Sequence, residues 1–140
     1  MKTYLDTLFR NYVALYKIYF YLVRKRKDNE VKLPTKKDDI YFDGYPRSGN
    51  TYTKGLIQNV YPKNRIVSHL HIVAGIKIAL RLNISTIIIV RKPSDAISSY
   101  AFVKCNGNPE ALNKKLISQL LNQYIEYYSF VLEKRNFLYI

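Results

Sequence analysis

The sequence predicts an α/β fold, a central parallel sheet flanked by helices in three layers. Three observations predict it. Short apolar runs alternate with helical patterns from about Asp38 onward, and strands separated by helices imply parallel pairing with helices on the sheet faces. One run, Thr86-Ile87-Ile88-Ile89-Val90, is continuously β-branched or apolar, as in a strand buried on both faces. Between an alternating stretch, Ile40–Asp43, and a helical pattern, Thr51–Val60, lies the glycine loop Gly44-Tyr45-Pro46-Arg47-Ser48-Gly49-Asn50. A strand, such a loop and a helix N-terminus together make an anion cradle, because backbone N–H groups point inward and the helix end adds positive potential.

Composition bounds the reading. A chain of 140 residues is most simply one domain, and one of this size buries roughly two-thirds of its unfolded surface. Hydrophobic residues make up 48%, which excludes a disordered chain. Lys and Arg number 23 against 10 Asp and Glu, a net charge of +13. That excess calls for an anionic partner: nucleic acid, membrane lipid or a phosphorylated small molecule. Cys105 is the only cysteine, so no intrachain disulfide forms, and no ligand spacing around His69 and His71 suggests a metal site.

Residues 1–37 read as an N-terminal amphipathic helix and a basic linker, and residues 38–140 as the main domain. Arg10, Lys17 and Arg24 fall seven apart and line one stripe of a helix over Tyr4–Val23, with apolar residues around the rest. Its longest uncharged piece, Ile18–Val23, is too short for a bilayer, which takes about 20 residues. Two roles fit this helix: packing on the domain, or lying on an anionic membrane surface through residues 4–27. Asp28–Lys37, polar and containing Pro34, reads as the linker.

Beyond it, Ile40–Asp43 reads as a strand and Thr51–Val60 as a helix. Pro62-Lys63-Asn64 is a turn, followed by a short strand over Arg65–Ser68. Ile72–Leu82 reads as a helix ending at Asn83. After the strand Thr86–Val90, Pro93 starts a helix to about Lys104, with Asp95 favourable in its first turn. Asn106–Pro109 reads as a loop capping a long helix whose apolar face includes Leu116, Leu120, Tyr124, Tyr128 and Val131 at helical spacing. Phe137–Ile140 reads as a final strand. The carboxyl ends of the strands, where parallel sheets bind ligands, then hold Gly44–Asn50, Ser68-His69 and Val90-Arg91-Lys92-Pro93.

The spacing of Gly44, Gly49 and Thr51 is that of the NTPase phosphate loop, so the fold expectation sharpens to a P-loop-nucleotide-binding-like one. Asn50 stands where that loop carries lysine. Arg47, inside the loop, offers forked hydrogen bonds to an oxyanion instead. No Asp ends the Thr86–Val90 run to hold a second metal position, which disfavours an ordinary ATPase or GTPase. Arg91 and, eight residues on, Ser99 are candidates for a second anion at the same edge. His69, after the second strand, is the candidate general base, with His71 its local competitor.

Together these segments resemble the sulfotransferases that use 3′-phosphoadenosine 5′-phosphosulfate. Tyr45-Pro46-Arg47-Ser48-Gly49-Asn50-Thr51-Tyr52 is similar to that family's 5′-phosphosulfate loop. Val90-Arg91-Lys92-Pro93-Ser94-Asp95 and the following Ser99-Tyr100 resemble its 3′-phosphate segment, in a register that selects Ser99 over Ser98. Ser68-His69-Leu70 resembles its Thr-His-Leu turn. The resemblance covers about Asp39 to Phe102. It implies that Arg47, Ser48, Gly49, Asn50 and Thr51 hold the phosphosulfate, that Tyr52 stacks on the adenine in place of tryptophan, that Arg91 and Ser99 bind the 3′-phosphate, and that His69 is the base. Arg47 would also stabilise charge during transfer.

Two departures stand out: Val67 replaces a lysine common before the Thr-His turn, and the Arg-Lys-Gly segment that closes over the nucleotide has no counterpart. The sequence therefore expects the N-terminal part of a longer sulfotransferase domain, cytoplasmic or peripheral to a membrane, with 3′-phosphoadenosine 5′-phosphosulfate as donor, no metal, and an acceptor hydroxyl or amine on a small molecule, glycan or lipid. A nucleotide or small-molecule kinase with an altered loop is the alternative enzyme. A non-catalytic module binding membranes or polyanions is the alternative outside catalysis. Nucleic acid is disfavoured, since the basic residues are dispersed and no reader motif is present.

Overall fold

The computed structural model describes residues 11–24, 31–134 and 138–139. Its centre is a parallel sheet of β1 (Ile40–Gly44), β2 (Ile66–Ser68), β3 (Ser85–Ile89) and β4 (Leu138–Tyr139), in the order β2-β1-β3-β4. Every residue of β1 is buried, because it has strands on both edges and helices on both faces. Ile40, Tyr41 and Phe42 pair with Ile66, Val67 and Ser68, and Gly44 pairs with Ile89. All pairings are parallel, so β1, β2 and β3 end on one edge.

The alternation of side chains along these strands sorts the core into two sets. Ile40, Phe42 and Ile89 pack on one face with Ile57 of α2 (Asn50–Val60). Tyr41, Val67 and Ile88 pack on the other, against α3 (Val73–Arg81), α4 (Pro93–Lys104) and α5 (Lys114–Glu133). The continuous apolar run of β3 therefore serves both faces, Ile88 one and Ile89 the other. The strand runs one residue earlier than its pattern suggested, and Val90 is exposed.

Helix ends follow from local chemistry. Pro93 occupies the first turn of α4, with Asp95 beside it. Asn83 at φ 54° breaks the chain away after α3. The long helix is not capped by the Asn106–Pro109 loop: Asn108 caps a short 3₁₀ turn, Pro109–Ala111, and Asn113 caps α5 by accepting from Leu116 N–H at 2.9 Å. Asparagine suits both places because its short side chain reaches an otherwise unpaired amide.

The N-terminal helix, α1 (Val13–Tyr19), continues as a π-helical turn over Phe20–Arg24; the expected span from Tyr4 to Arg10 lies outside the described residues. Tyr16 and Phe20, four apart on one face, are buried in the main core, whereas Leu15, Ile18 and Leu22 are exposed. Val31, Leu33 and Pro34, from the stretch that reads as linker, are buried too. Among the described residues no helix is long and apolar enough to cross a membrane.

One close approach ties α3 to the sheet. A Cβ on Gly75 would lie 2.5 Å from the Tyr41 hydroxyl and 2.8 Å from Leu70 Cδ1. Gly75→Ala should therefore destabilise the fold by about 1–3 kcal/mol, the usual cost of overpacking, rather than bring the small gain of a helical Gly→Ala change. Urea denaturation checks the sign.

Candidate functional site

The glycine loop Gly44–Asn50 begins where β1 meets β3. A Cβ on Gly44 would come within 2.8 Å of Ile89 O, so only glycine lets the two strands end this close. The loop then turns at Arg47 (φ 68°) and Gly49 (φ 91°) before entering α2. Gly49 is the N-cap and supplies no side-chain cap. The N–H groups of the first turn, Asn50, Thr51 and Tyr52, have no intrahelical partners by geometry and face outward as donors. An 11-residue helix adds its dipole at the same point.

Within the loop the residues divide. Ser48 turns inward: its N–H donates to Tyr45 O at 3.1 Å and its hydroxyl lies 3.5 Å from the Tyr128 hydroxyl. Asn50 is buried, and its amide donates to Tyr45 O at 3.1 Å. Both side chains brace the loop. Asn50 thus occupies the lysine position of an NTPase loop as an internal strut, with its Oδ1 unpartnered among the described residues. Thr51 and Tyr52 are exposed at the rim, Tyr52 by 74%.

Arg47, Arg91 and Ser99 meet. Arg47 Nε donates to Ser99 Oγ at 3.1 Å, and Arg91 Nη1 donates to Arg47 O at 2.6 Å. Ser98 is directed back along its helix, donating to Ser94 O at 2.6 Å. The register that selects Ser99 is therefore the one whose side chain reaches the loop.

His69 lies across the loop from Arg47. Its Nδ1 is 2.6 Å from Ser68 Oγ and its Nε2 is 3.2 Å from Thr51 Oγ1. With the proton on Nδ1, the ring donates to the buried Ser68 and leaves Nε2 an acceptor beside Thr51. His71 stacks edge-on at 5.6 Å. Its Nδ1 is 2.7 Å from Gly44 O and 3.1 Å from Asp43 Oδ1. Asp43 is fully buried at the end of β1 and also accepts from Tyr41 OH, Gly44 N–H and His71 N–H. His69 and His71 have φ of 66° and 56°, so a left-handed backbone turn sets both imidazoles toward one cavity of about 510 Å³. Arg47, Gly49, Thr51, Tyr52, Arg91 and Tyr100 also line it. A second cavity of about 610 Å³ shares Thr51 and His69 and is lined further by Lys54, Arg65 and Ser68.

Sequence reasoning missed what holds these segments together. Tyr128 OH donates to Ile89 O at 2.6 Å and accepts from Tyr45 N–H at 3.1 Å. One turn earlier, Tyr124 OH donates to Arg91 O at 2.7 Å. Tyr45 OH in turn donates to Leu120 O at 2.9 Å. The signal was available in part, since tyrosines at i and i+4 on an apolar face carry polar tips that need partners when buried. Burial is the first cause that raises the pKa of Tyr41, Tyr127 and Tyr128, with the Asp43 charge adding to it, and burial also raises that of Tyr124. Among the described residues, no group of His, Cys, Asp and Glu could hold a metal ion.

Comparison with protein-family models, with curated proteins and with solved structures returns no match.

Two outcomes follow from the tyrosines. Tyr128→Phe leaves Tyr45 N–H and Ile89 O without their bridge and should cost about 1–3 kcal/mol, whereas Tyr127→Phe, which removes a buried hydroxyl lacking a partner among the described residues, should be nearly neutral or stabilising. Denaturant midpoints distinguish them. Because these folded-state pKa values lie above the unfolded one, the proton is held more tightly in the folded chain. Stability is then fully present below pH about 10 and is lost as pH rises beyond it, which a pH series of unfolding curves measures.

Proposed function

We propose that the chain is a sulfuryl-transfer domain of P-loop-like architecture that takes 3′-phosphoadenosine 5′-phosphosulfate as donor. The observation that carries this reading is the meeting of Arg47, Arg91 and Ser99, from two separate strand ends, beside the open N–H groups of α2 and opposite His69. Two anion-binding centres about one cavity suit a nucleotide phosphorylated at both ends. A single phosphate would need only the loop. The cavity's size falls within the roughly 300–1,000 Å³ of small-molecule sites.

The donor supplies an activated sulfuryl group whose departure leaves adenosine 3′,5′-bisphosphate. The N–H groups of Gly49 to Tyr52 and the Arg47 guanidinium bind its 5′ end and stabilise charge that grows on the bridging oxygen as the S–O bond breaks. Arg91 and Ser99 hold the 3′-phosphate, and Tyr52, exposed at the rim, is available to stack on the base. The acceptor hydroxyl or amine enters from the cavity on the other side of His69 and Thr51. Its oxygen or nitrogen attacks sulfur while His69 Nε2 takes its proton. His71, tied to Asp43 and Gly44, fixes the turn in which His69 sits. Positioning and electrostatics supply most of the acceleration, as in phosphoryl transfer.

Isothermal titration tests the donor site. Adenosine 3′,5′-bisphosphate should bind more tightly than ATP with Mg²⁺, and Arg47→Ala should weaken it by about 10- to 100-fold, the worth of hydrogen bonds to a charged group. Tighter binding of Mg²⁺-ATP would turn the reading to a kinase. For the base, His69→Ala should abolish turnover with donor affinity kept within about threefold, while His71→Gln should keep measurable turnover. Undiminished turnover in the His69 variant removes it from the mechanism.

A further inference from the structure

A further cavity of about 570 Å³ opens where β1 and β2 begin; it shares no lining residue with the cavity at Arg47 and Arg91, and meets the 610 Å³ cavity at Val31, Lys32, Asp38 and Arg65. It lies between α1, the stretch 31–38 and the last turn of α3. Its floor is apolar: Phe20, Val31, Leu33 and Ile78 line it and are all buried. Its rim is cationic: Lys17, Lys32, Lys36 and Arg81 line it and are all exposed. Among the described residues none of these four has a carboxylate within ion-pair distance. The one acid that lines it, Asp38, is already engaged. Its Oδ2 accepts from the Thr35 N–H and hydroxyl at 2.7 Å, and its Oδ1 faces Arg65 at 3.7 Å.

A solvated basic face ordinarily overlies a packed surface, with each cation separately hydrated. Here the cations ring a recess that mixes apolar side chains, Val13, Phe20, Tyr21, Leu33, Ile78 and Leu82 among them, with polar ones. The charges around it favour a negative group at the mouth. An apolar recess with a few charged groups is the usual form of a small-molecule site.

We infer that this cavity binds a free single-chain amphiphilic anion, a fatty-acid-like carboxylate or its sulfate or phosphate counterpart. The alkyl body lies along Val13, Tyr21 and Leu82, which keep exposed apolar surface, with Phe20, Val31, Leu33 and Ile78 packed at the floor, and the head group pairs with Lys17, Arg81 and their neighbours on the rim. Ile18 and Leu22 are exposed and do not line the cavity, whereas the exposed Tyr21 does; the proposed occupant is a single molecule in the recess and not a bilayer surface. The inference does not rest on the sulfuryl-transfer reading, although Val31, Lys32, Asp38 and Arg65 also line the cavity assigned to the acceptor.

Titration of the whole chain with monomeric decanoate, and with decanol as the uncharged counterpart, tests the inference. Decanoate should saturate at one molecule per chain, with decanol weaker by about tenfold or more. The double variant Lys17→Glu with Arg81→Glu should lose about tenfold or more in decanoate affinity. The milder pair Lys17→Gln with Arg81→Gln should lose less, and thermal melts should report both variants folded. Arg47→Ala should leave decanoate affinity unchanged, which separates this site from the anion loop. Equal affinity for decanol, affinity unmoved by both rim variants, loss that follows Arg47→Ala, or association only with phosphatidylglycerol vesicles would each overturn it.

Discussion

The Tyr128 hydroxyl is the point on which the site depends. It donates to the last carbonyl of β3 and accepts from the first amide of the loop after Gly44. Losing such a bridge between buried groups costs about 1–3 kcal/mol. The bond also fixes distance. Because one oxygen serves both strand ends, the Arg47 loop and the Arg91 turn cannot separate without breaking it. Tyr124, one helical turn away, repeats the hold on Arg91. Helix α5 thus acts as a splint behind the cavity. This explains how an exposed contact as slight as Arg47 Nε to Ser99 Oγ keeps a defined geometry.

Asp43 performs the matching task at β2. Its carboxylate is fully buried, and it accepts from a hydroxyl, two backbone amides and an imidazole. A carboxylate in that position is tolerable only because each donor offsets part of the desolvation. The consequence runs outward through Tyr41 to α3, where Gly75 leaves room for the tyrosine hydroxyl, and through His71 to the turn that carries His69. Packing of a helix on the sheet and placement of the imidazoles are therefore one arrangement.

The glycine loop between β1 and α2, the Arg91 turn and the reach of Ser99 to the loop were legible as placements because each is a local strand–turn–helix pattern within a few residues. The place of His69 at the same edge was legible for the same reason. The splint was not, since Tyr124 and Tyr128 read at helical spacing only as core, and their partners lie 33 to 83 residues away. Nor were the roles of Ser48 and Asn50 separable from sequence: both stand in a phosphate-binding pattern, yet burial turns both side chains inward. Val31 and Leu33 were hidden by the lysines around them, although their alternation is that of an extended segment with one face buried. Asn108 and Asn113 are chemically equivalent caps, and only the spacing of the first turn decides which begins α5.

Arg47, His69 and His71 all hold left-handed backbone conformations, where a side chain costs on the order of 1 kcal/mol relative to glycine. Selection for stability alone would favour glycine or asparagine at each. The chain instead keeps two imidazoles and a guanidinium in a backbone shape that glycine or asparagine holds at less cost. The edge of the sheet is thus where the fold carries its local strain, and glycine or asparagine at these three positions would raise stability while removing the side chains that face the cavity.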